Sequence, residues 1–325
     1  MILYGLLFLF GCVFLTVVIT ARLVPVLQNH HVGQRILEIG PKWHMSKQGT
    51  PTMGGLSFLA VALPAGIVGI AALWHLGEDL RPFALLLCFA LANGAVGTVD
   101  DAAKMRKRQN EGLLPWQKLF LQTVFAVAFL ALYRLYGGGT EVRMLFSGYT
   151  VQLGIFFYPL AALYLIGSIN FVNLTDGIDG LASAVTTTCG MFFFLCGIAY
   201  GNPALQSGGA LLAGCSLGFL FFNAHPAKVF MGDTGSLFLG ALAVGCAFLS
   251  PTPLSLLPAG IVYYLEGASV ILQVAVFKLT HRRLFRMAPL HHHFEKSGWS
   301  EWRVVLFFLT LSLLGDAVAF FSLPA

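Results

Sequence analysis

The sequence predicts an all-α polytopic membrane protein with about ten transmembrane helices and one small β-hairpin. The first observation is composition: hydrophobic residues make up 57% of the 325 residues, charged residues only 10%, and the mean hydropathy is +0.80. A soluble domain carries about 25% charged residues, so this composition excludes one. The second observation is the length of the apolar runs, because a helix needs about 20 apolar residues to cross a bilayer.

The apolar runs follow one another without a long linker or a low-complexity segment, so we expect a single membrane domain over residues 1–325. The fourth and eighth runs are short or interrupted, which allows between nine and eleven spans. The ten runs lie near residues 1–24, 53–74, 82–99, 118–136, 152–169, 181–200, 205–222, 235–250, 256–278 and 303–323.

Basic residues predict the orientation, because cytoplasmic loops of membrane proteins are enriched in Lys and Arg. With the N-terminus outside the cytoplasm, only Arg81, Arg134 and Arg143 of the 19 Lys and Arg residues fall on the outer side. Ten spans then place the C-terminus outside as well. The longest outer loop, 137–151, alternates polar and apolar residues around Ser147-Gly148, which predicts the β-hairpin.

The dense polar segments all fall on the predicted inner side, and the central one covers residues 170–182. Asn173, Asp176 and Asp179 recur every three residues, which on a helix would place them within an arc of about 120° facing one ligand. A Gly/Asp-rich turn between two helices is the alternative. An EF-hand is excluded because position twelve counted from Asp176 is Thr187, not Glu.

Three more aspartates lie at the ends of apolar runs. Asp100 and Asp101 end the third run, and adjacent carboxylates repel each other unless a cation or a donor lies between them. Anchoring of the inner loop explains the basic residues that follow, but not the two aspartates. Asp233 lies between glycines before the eighth run, where a helix start binds phosphate or a carboxylate–metal pair. A helix simply capped by Asp233 or Thr234 is the alternative.

The last polar segment contains three consecutive histidines, His291, His292 and His293. Zinc is not expected, because consecutive side chains on a helix point about 100° apart and no Cys or Asp pattern completes a site. Phosphate or sugar binding and a solvated loop remain open. Carboxylates with open coordination positions suit Mg²⁺, which shares its shell with substrate phosphates. Together with the basic residues, these segments predict phosphoryl transfer at the membrane surface.

Five motifs closely resemble those of the phospho-N-acetylmuramoyl-pentapeptide transferases, in the polyprenyl-phosphate N-acetylhexosamine-1-phosphate transferase superfamily. They are GTPTMGG (Gly49–Gly55), Asp100-Asp101, NLTDGIDGLA (Asn173–Ala182), NAHPAKVFMGDTGS (Asn223–Ser236) and PLHHHFE (Pro289–Glu295). The resemblance covers nearly the whole chain. The histidine triplet is similar to this branch rather than to the WecA-like UDP-GlcNAc:undecaprenyl-phosphate GlcNAc-1-phosphate transferases, which remain the alternative.

The resemblance implies transfer of phospho-MurNAc-pentapeptide from UDP-MurNAc-pentapeptide to undecaprenyl phosphate, giving lipid I and UMP in peptidoglycan synthesis. It implies Mg²⁺ as the cofactor and a multi-pass location in the bacterial inner membrane, among membrane lipids. The active site would then be cytoplasmic, and both termini and the hairpin periplasmic. A homodimer and no nucleic-acid partner are also expected.

By the same resemblance, Asp100, Asp101 and Asp233 are catalytic, and Asp233 and Asp176 bind the metal. The implied substrate-binding residues are Lys47, Thr52, Lys118, Asn173, Asp176, Asp179, Asn223, His291, His292 and His293. Two mechanisms stay open: direct attack of the lipid phosphate, or a phospho-enzyme formed on an aspartate. Direct attack is favoured, because a phosphate monoester with a second pKa near 6 is largely dianionic at neutral pH.

Overall fold

The computed structural model describes residues 2–29, 49–107 and 112–323, and these ranges contain twelve α-helices and one two-stranded sheet. Ten of these helices are long and apolar enough to cross a membrane, which confirms the predicted fold class and number of spans. The helices are α1 (Ile2–Asn29), α2 (Leu56–Leu76), α3 (Arg81–Lys107), α4 (Pro115–Leu135), α5 (Phe157–Thr175), α6 (Leu181–Ala199), α7 (Pro203–Asn223), α8 (Gly232–Leu249), α9 (Leu256–Ala259), α10 (Ile261–Thr280), α11 (Leu290–Lys296) and α12 (Glu301–Ser322).

Several helices begin or end a few residues away from the predicted runs, and two differ in a further way. Helix α3 does not end at residue 99 but continues to Lys107, so Asp100 and Asp101 lie inside a helix. The predicted run 256–278 divides at Gly260 into the single turn of α9 and the long helix α10. Both differences arise because hydropathy marks the apolar part of a helix, whereas backbone hydrogen bonds determine where the helix ends.

The predicted β-hairpin is present but shorter than the sequence indicates. Glu141–Arg143 (β1) pairs antiparallel with Thr150–Gln152 (β2), and Val142 lies opposite Val151. Beyond Arg143, Met144 donates its N–H to the carbonyl of Tyr149 at 2.8 Å, whereas Phe146, with a left-handed φ of 64°, donates its N–H to the carbonyl of Ser322 at 2.8 Å. The turn is therefore attached to the end of α12.

Helices α6, α7 and α8 form the centre of the bundle. Between 72% and 83% of the residues in their apolar windows are buried inside the protein, against 22% for α4 and 28% for α1. Small residues allow helices to approach closely in a membrane, where hydrophobic burial does not drive them together. Helix α7 accordingly contains Gly208, Gly209, Gly214 and Gly218, all buried.

The segment that precedes α2 is paired with the segment that precedes α8. Gly54 and Gly55 donate their N–H groups to the carbonyls of Phe230 and Met231 at 2.8 and 2.9 Å, and Phe230 donates to Pro51 at 2.8 Å. The polar residues after Gly49 and those around Asp233 are thereby held at the same end of the bundle.

Candidate active site

Three carboxylates converge at this end of the bundle. Asp100 and Asp101 on α3 and Asp233 in the first turn of α8 each offer an oxygen within 4.8 Å of the others. Close approach of the two helices requires Gly97, because a Cβ at this position would lie 2.1 Å from the carbonyl oxygen of Asp233. The two predicted aspartate motifs, more than 130 residues apart, therefore form one site.

Asp101 provides the cap for the start of α8. Its carboxylate accepts the N–H groups of Asp233 and Thr234 at 3.2 and 2.9 Å and the Thr234 hydroxyl at 2.8 Å. The alternative that Asp233 or Thr234 caps this helix is wrong, because neither side chain accepts a capping hydrogen bond there. A residue from another helix takes that role, so the side chain of Asp233 is left to face the site.

Two lysines lie among the carboxylates. The Lys104 Nζ is 2.7 Å from Asp100 Oδ2, 2.9 Å from Asp233 Oδ2 and 3.8 Å from Asp101 Oδ1. Lys118, on α4, contacts Asp233 Oδ2 at 2.9 Å, and substrate binding by Lys118 stays a prediction. Lys104 was not predicted as a site residue. Its spacing of four from Asp100 is the signal that would have found it, had α3 been extended past residue 99.

Asn173 holds the other oxygen of Asp233. Its Nδ2 donates to Asp233 Oδ1 at 2.8 Å and lies 2.7 Å from the Ser236 hydroxyl. Asp233 thus receives hydrogen bonds on both oxygens from three helices, α3, α4 and α5. This orients the carboxylate and satisfies a charge whose side chain is only 16% exposed.

Asp176 lies immediately after α5 and outside the group of three carboxylates. Burial, and after it the negative charges of Asp233, Asp101 and Asp179, together raise the pKa of Asp176 to about 8. The group of carboxylates within 4.8 Å of one another contains Asp233, Asp100 and Asp101 but not Asp176. Metal binding by Asp176 stays a prediction.

Asp179 does not share a helix face with Asn173 and Asp176, because α5 ends at Thr175. The predicted common arc is wrong, and the Gly/Asp-rich turn is the structure that forms. Asp179 Oδ2 accepts the N–H of Ala227 at 3.0 Å and lies 2.9 Å from His225 Nδ1. With Glu301, these side chains form a second group of possible ligands within 4.8 Å. His225 lies within the motif Asn223–Ser236 but was not predicted as a site residue, and Glu301 lies outside the five motifs; each acquires these partners only through the fold.

Asn223 and Thr52 lie in the same region. The buried Asn223 accepts the N–H of Gly180 at 3.2 Å and the Ser183 hydroxyl at 2.9 Å, and donates to the carbonyl of Val229 at 3.0 Å. It therefore ties the loop before α6 to the loop before α8. Thr52 is also buried. Lys47 lies outside the described residues, and substrate binding by these three residues stays a prediction.

The three histidines lie on the short helix α11, so the solvated-loop alternative is wrong. His291 is only 1% exposed, with Nδ1 3.2 Å from Glu266 Oε2. His292 Nδ1 lies 2.7 Å from Glu295 Oε2, and His293 Nδ1 accepts the N–H of Arg286 at 3.2 Å. Their substrate contacts stay a prediction.

The donor set of the first group fits a hard divalent cation. Asp100, Asp101 and Asp233 supply carboxylate oxygens, the ligand type that Mg²⁺ prefers, and their spacing lets them surround one ion. The ammonium groups of Lys104 and Lys118 offset part of the negative charge of these carboxylates. A site that combines clustered anions with lysines can bind and neutralise phosphate groups.

Two models of known protein families match parts of the chain. Residues 83–250 match the family model described as glycosyl transferase family 4, and residues 47–59 match the phospho-N-acetylmuramoyl-pentapeptide-transferase signature 1.

Curated relatives named phospho-N-acetylmuramoyl-pentapeptide-transferase cover nearly the whole chain. The relative from Acetivibrio thermocellus is 43% identical over 93% of this chain and 90% of its own length. The relative from Clostridium perfringens is 42% identical over 93% of this chain and 91% of its own length. The relative from Staphylococcus carnosus is 39% identical over 92% of this chain and 93% of its own length. This multi-pass membrane protein therefore belongs to the phospho-N-acetylmuramoyl-pentapeptide transferase family.

Proposed function

We propose that the protein transfers phospho-MurNAc-pentapeptide from UDP-MurNAc-pentapeptide to undecaprenyl phosphate, forming lipid I and releasing UMP. The observation that carries this proposal is the group formed by Asp100, Asp101 and Asp233 with two lysines, in a chain of this family. GlcNAc-1-phosphate transfer of the WecA-like type is the less supported alternative, because the relatives reported above bear the phospho-N-acetylmuramoyl-pentapeptide name.

Asp233, Asp100 and Asp101 would hold Mg²⁺, with Asp176 as a further candidate ligand. When bound, Mg²⁺ supplies a Lewis acid that neutralises negative charge on the diphosphate during transfer. Asp233 is the principal candidate, because Asn173 and the two lysines orient both of its oxygens. Asp101 contributes by fixing the first turn of α8, from which Asp233 projects.

In the transfer, an oxygen of the lipid phosphate bonds to the β-phosphorus of the UDP-sugar, and the bond from that phosphorus to the bridging oxygen breaks. UMP leaves with the bridging oxygen and its electron pair. The attacking phosphate is already largely dianionic at neutral pH, so it needs positioning and charge neutralisation more than a strong base. Lys104 and Lys118 provide positive charge where the phosphates would meet the carboxylates.

Asp100 is the candidate for positioning the lipid phosphate or accepting its residual proton. Its Oδ1 accepts the N–H of Leu113 at 2.8 Å and its Oδ2 pairs with Lys104, so its orientation is fixed from both sides. Direct attack by the lipid phosphate is favoured over an aspartyl phospho-enzyme, because a dianionic phosphate is already a nucleophile and does not require covalent catalysis.

We place this site at the cytoplasmic face of the bacterial inner membrane and expect a homodimer. The placement is supported by the distribution of Lys and Arg: Lys104, Lys118, Lys228 and Arg303 all belong to the polar end of the bundle. The dimer is an expectation from the family resemblance alone.

The function is tested with purified protein, UDP-MurNAc-pentapeptide and undecaprenyl phosphate, by following UMP and the lipid-linked product. We expect both products in equal amounts, with Mg²⁺ required and chelation by EDTA abolishing turnover. UDP-GlcNAc should be neither a substrate nor an effective competitor. Turnover of UDP-GlcNAc in preference to UDP-MurNAc-pentapeptide would instead support the WecA-like reaction.

A further inference from the structure

Glu266 is a fully buried carboxylate on α10, a helix that contributes nothing to the group around Asp233. Its oxygens accept the backbone N–H of His291 at 3.2 and 3.4 Å. Its Oε2 also lies 3.2 Å from Nδ1 of the His291 ring, and the two side chains are 0% and 1% exposed. A buried carboxylate requires such partners, because an uncompensated charge in the interior is costly. Among the residues that the structure describes, the groups given as partners of the Glu266 carboxylate thus belong to one residue.

The segment after α10 folds back along the same helix to make this contact. Gln273, two turns beyond Glu266 on the same face of α10, accepts the N–H groups of Leu284 and Phe285 at 3.1 and 2.8 Å. Glu266 then receives the N–H of His291. Two polar side chains of α10 therefore fix the returning segment at two points, and Glu266 fixes the point where the first histidine enters.

The ring of His291 points from Glu266 towards the turn after α5. A Cβ built on Gly177 would lie 2.1 Å from His291 Nε2 and 2.5 Å from Cε1, so only glycine allows the ring to lie here. Both ring nitrogens are buried and neither makes a hydrogen bond to the residues that the structure describes, so Nδ1 lies beside Glu266 Oε2 as a close contact only, and the hydrogen bonds to Glu266 come from the His291 backbone. The ring is thus packed against the backbone of the residue that follows Asp176, at a site with almost no exposure to solvent.

We propose that Glu266 is a positioning residue of the transfer reaction: it holds His291, and His291 holds Gly177 and the adjacent Asp176 beside the Asp233 site. The inference rests on the proposed function, in that Asp176 serves the transfer. Glu266 acts through a chain of contacts and does not touch substrate. A displacement of about 1 Å at a reacting site can cost about 10²-fold in rate, which is the effect expected when this chain of contacts is broken.

The contact between His291 and Gly177 is tested by enlarging the side chain at 177 and shortening the side chain at 291. Gly177→Ala forces a methyl group against the ring, so we expect kcat to fall about 10²-fold and the thermal midpoint to fall. In a His291→Ala background the same substitution should change kcat by less than about threefold, because its methyl group enters space left by the ring. Equal losses of kcat in both backgrounds would show that Gly177→Ala does not act through its contact with the His291 ring.

The role of Glu266 is tested with two substitutions and a matched control. Glu266→Leu removes both acceptors and should lower kcat about 10²-fold, with KM for UDP-MurNAc-pentapeptide changed less than about threefold. Glu266→Gln keeps an oxygen that accepts the His291 N–H and should restore kcat to within about tenfold of wild type. Asp316→Leu removes another carboxylate within a span, on α12, and should leave kcat within about threefold of wild type.

A Glu266→Leu protein with wild-type kcat, or an Asp316→Leu protein that loses as much, would overturn the assignment. The thermal midpoint, measured without substrates, reports on the His291–Gly177 contact independently of catalysis. A wild-type protein without transferase activity would overturn the proposed function and the catalytic part of this inference together. Active wild-type protein in which His291→Ala does not suppress the Gly177→Ala effect on the midpoint would overturn this inference alone.

Discussion

Replacing Asp233 by asparagine removes one charge from the centre of the proposed site while preserving the shape of the side chain. In the structure, Asp233 Oδ2 accepts hydrogen bonds from Lys104 and Lys118, both at 2.9 Å, and Oδ1 accepts one from Asn173 at 2.8 Å. An amide has one accepting oxygen. Its NH₂ group must therefore face either the two ammonium groups or the Asn173 amide, all of which are donors.

The size of the effect follows from this geometry. Removing one member of a buried ion pair costs about 3–5 kcal/mol of folding stability, and we take about 3 kcal/mol because the Asp233 side chain retains 16% exposure, so the thermal midpoint should fall. The effect on catalysis is separate: losing a charged metal ligand costs several kcal/mol of transition-state stabilisation. Since 1.36 kcal/mol corresponds to a factor of ten in rate, about 4 kcal/mol lowers kcat/KM about 10³-fold.

The assay is UMP release by the purified Asp233→Asn protein, with the thermal midpoint as the test of folding. Asp79→Asn is the matched control, because Asp79 also pairs with a basic residue, Arg81 at 2.8 Å, but in an exposed position. We expect the control to remain within about twofold of wild type, since exposed pairs contribute about 0–1 kcal/mol. A folded Asp233→Asn protein that retains more than about one tenth of wild-type kcat/KM would refute the assignment of Asp233.

Three further predictions concern topology, stability and the role of Asp100. Single cysteines at Ser147 and Gly201 should react with an impermeant reagent from outside the cell, and one at Ser297 only after permeabilisation; the opposite pattern would contradict the orientation. The pKa of Asp176 is about 8 in the folded protein against 3.8 for an ordinary aspartate. As the pH rises from about 4 to about 8, the unfolded chain releases this proton and the folded state keeps it, so the metal-free protein should lose thermal stability over this range. Asp176→Asn should flatten this dependence, and an unchanged slope would argue against the buried proton. Asp100→Asn should be slow but partly rescued by raising the pH, because the dianionic fraction of the lipid phosphate increases; a loss that is independent of pH would exclude a role as base.

Much of the fold could be predicted from the sequence because the membrane imposes a simple rule. A run of about 20 apolar residues has few alternatives to a spanning helix, and each of the ten predicted runs overlaps a helix of the structure. The rule fails where a helix continues past its apolar part. Asp100 and Lys104, four residues apart on α3, pair at 2.7 Å and support a helical turn that hydropathy alone places in a loop.

The composition of the site was predictable, but the arrangement within it was not. The motifs identified Asp100, Asp101, Asn173 and Asp233, and the structure brings these four together. The cap that Asp101 gives to α8 could not be predicted, because capping rules consider only neighbouring residues in the chain. The contact of Glu301 with Asp179 spans 122 residues and depends on how α12 packs in the bundle. Such contacts are determined by tertiary packing, which motif spacing does not encode.

The burial of His291 is another result of tertiary packing that the motif did not predict. A histidine triplet indicates a binding surface, but the first of the three is 1% exposed and faces Glu266. Its neighbours on α11 are only partly buried. Consecutive residues on a helix point in directions about 100° apart, so one motif can contain both a structural and a surface residue.

The most direct test of direct transfer at this site is UMP release by wild-type protein that is given UDP-MurNAc-pentapeptide and Mg²⁺ but no lipid phosphate. If the lipid phosphate is itself the nucleophile, UMP should stay far below one molecule per active site until undecaprenyl phosphate is added, and should then appear together with the lipid-linked product. A rapid release that approaches one UMP per active site, with the phospho-sugar retained on the protein and no burst in Asp100→Asn, would show that an aspartate attacks first and would contradict direct transfer.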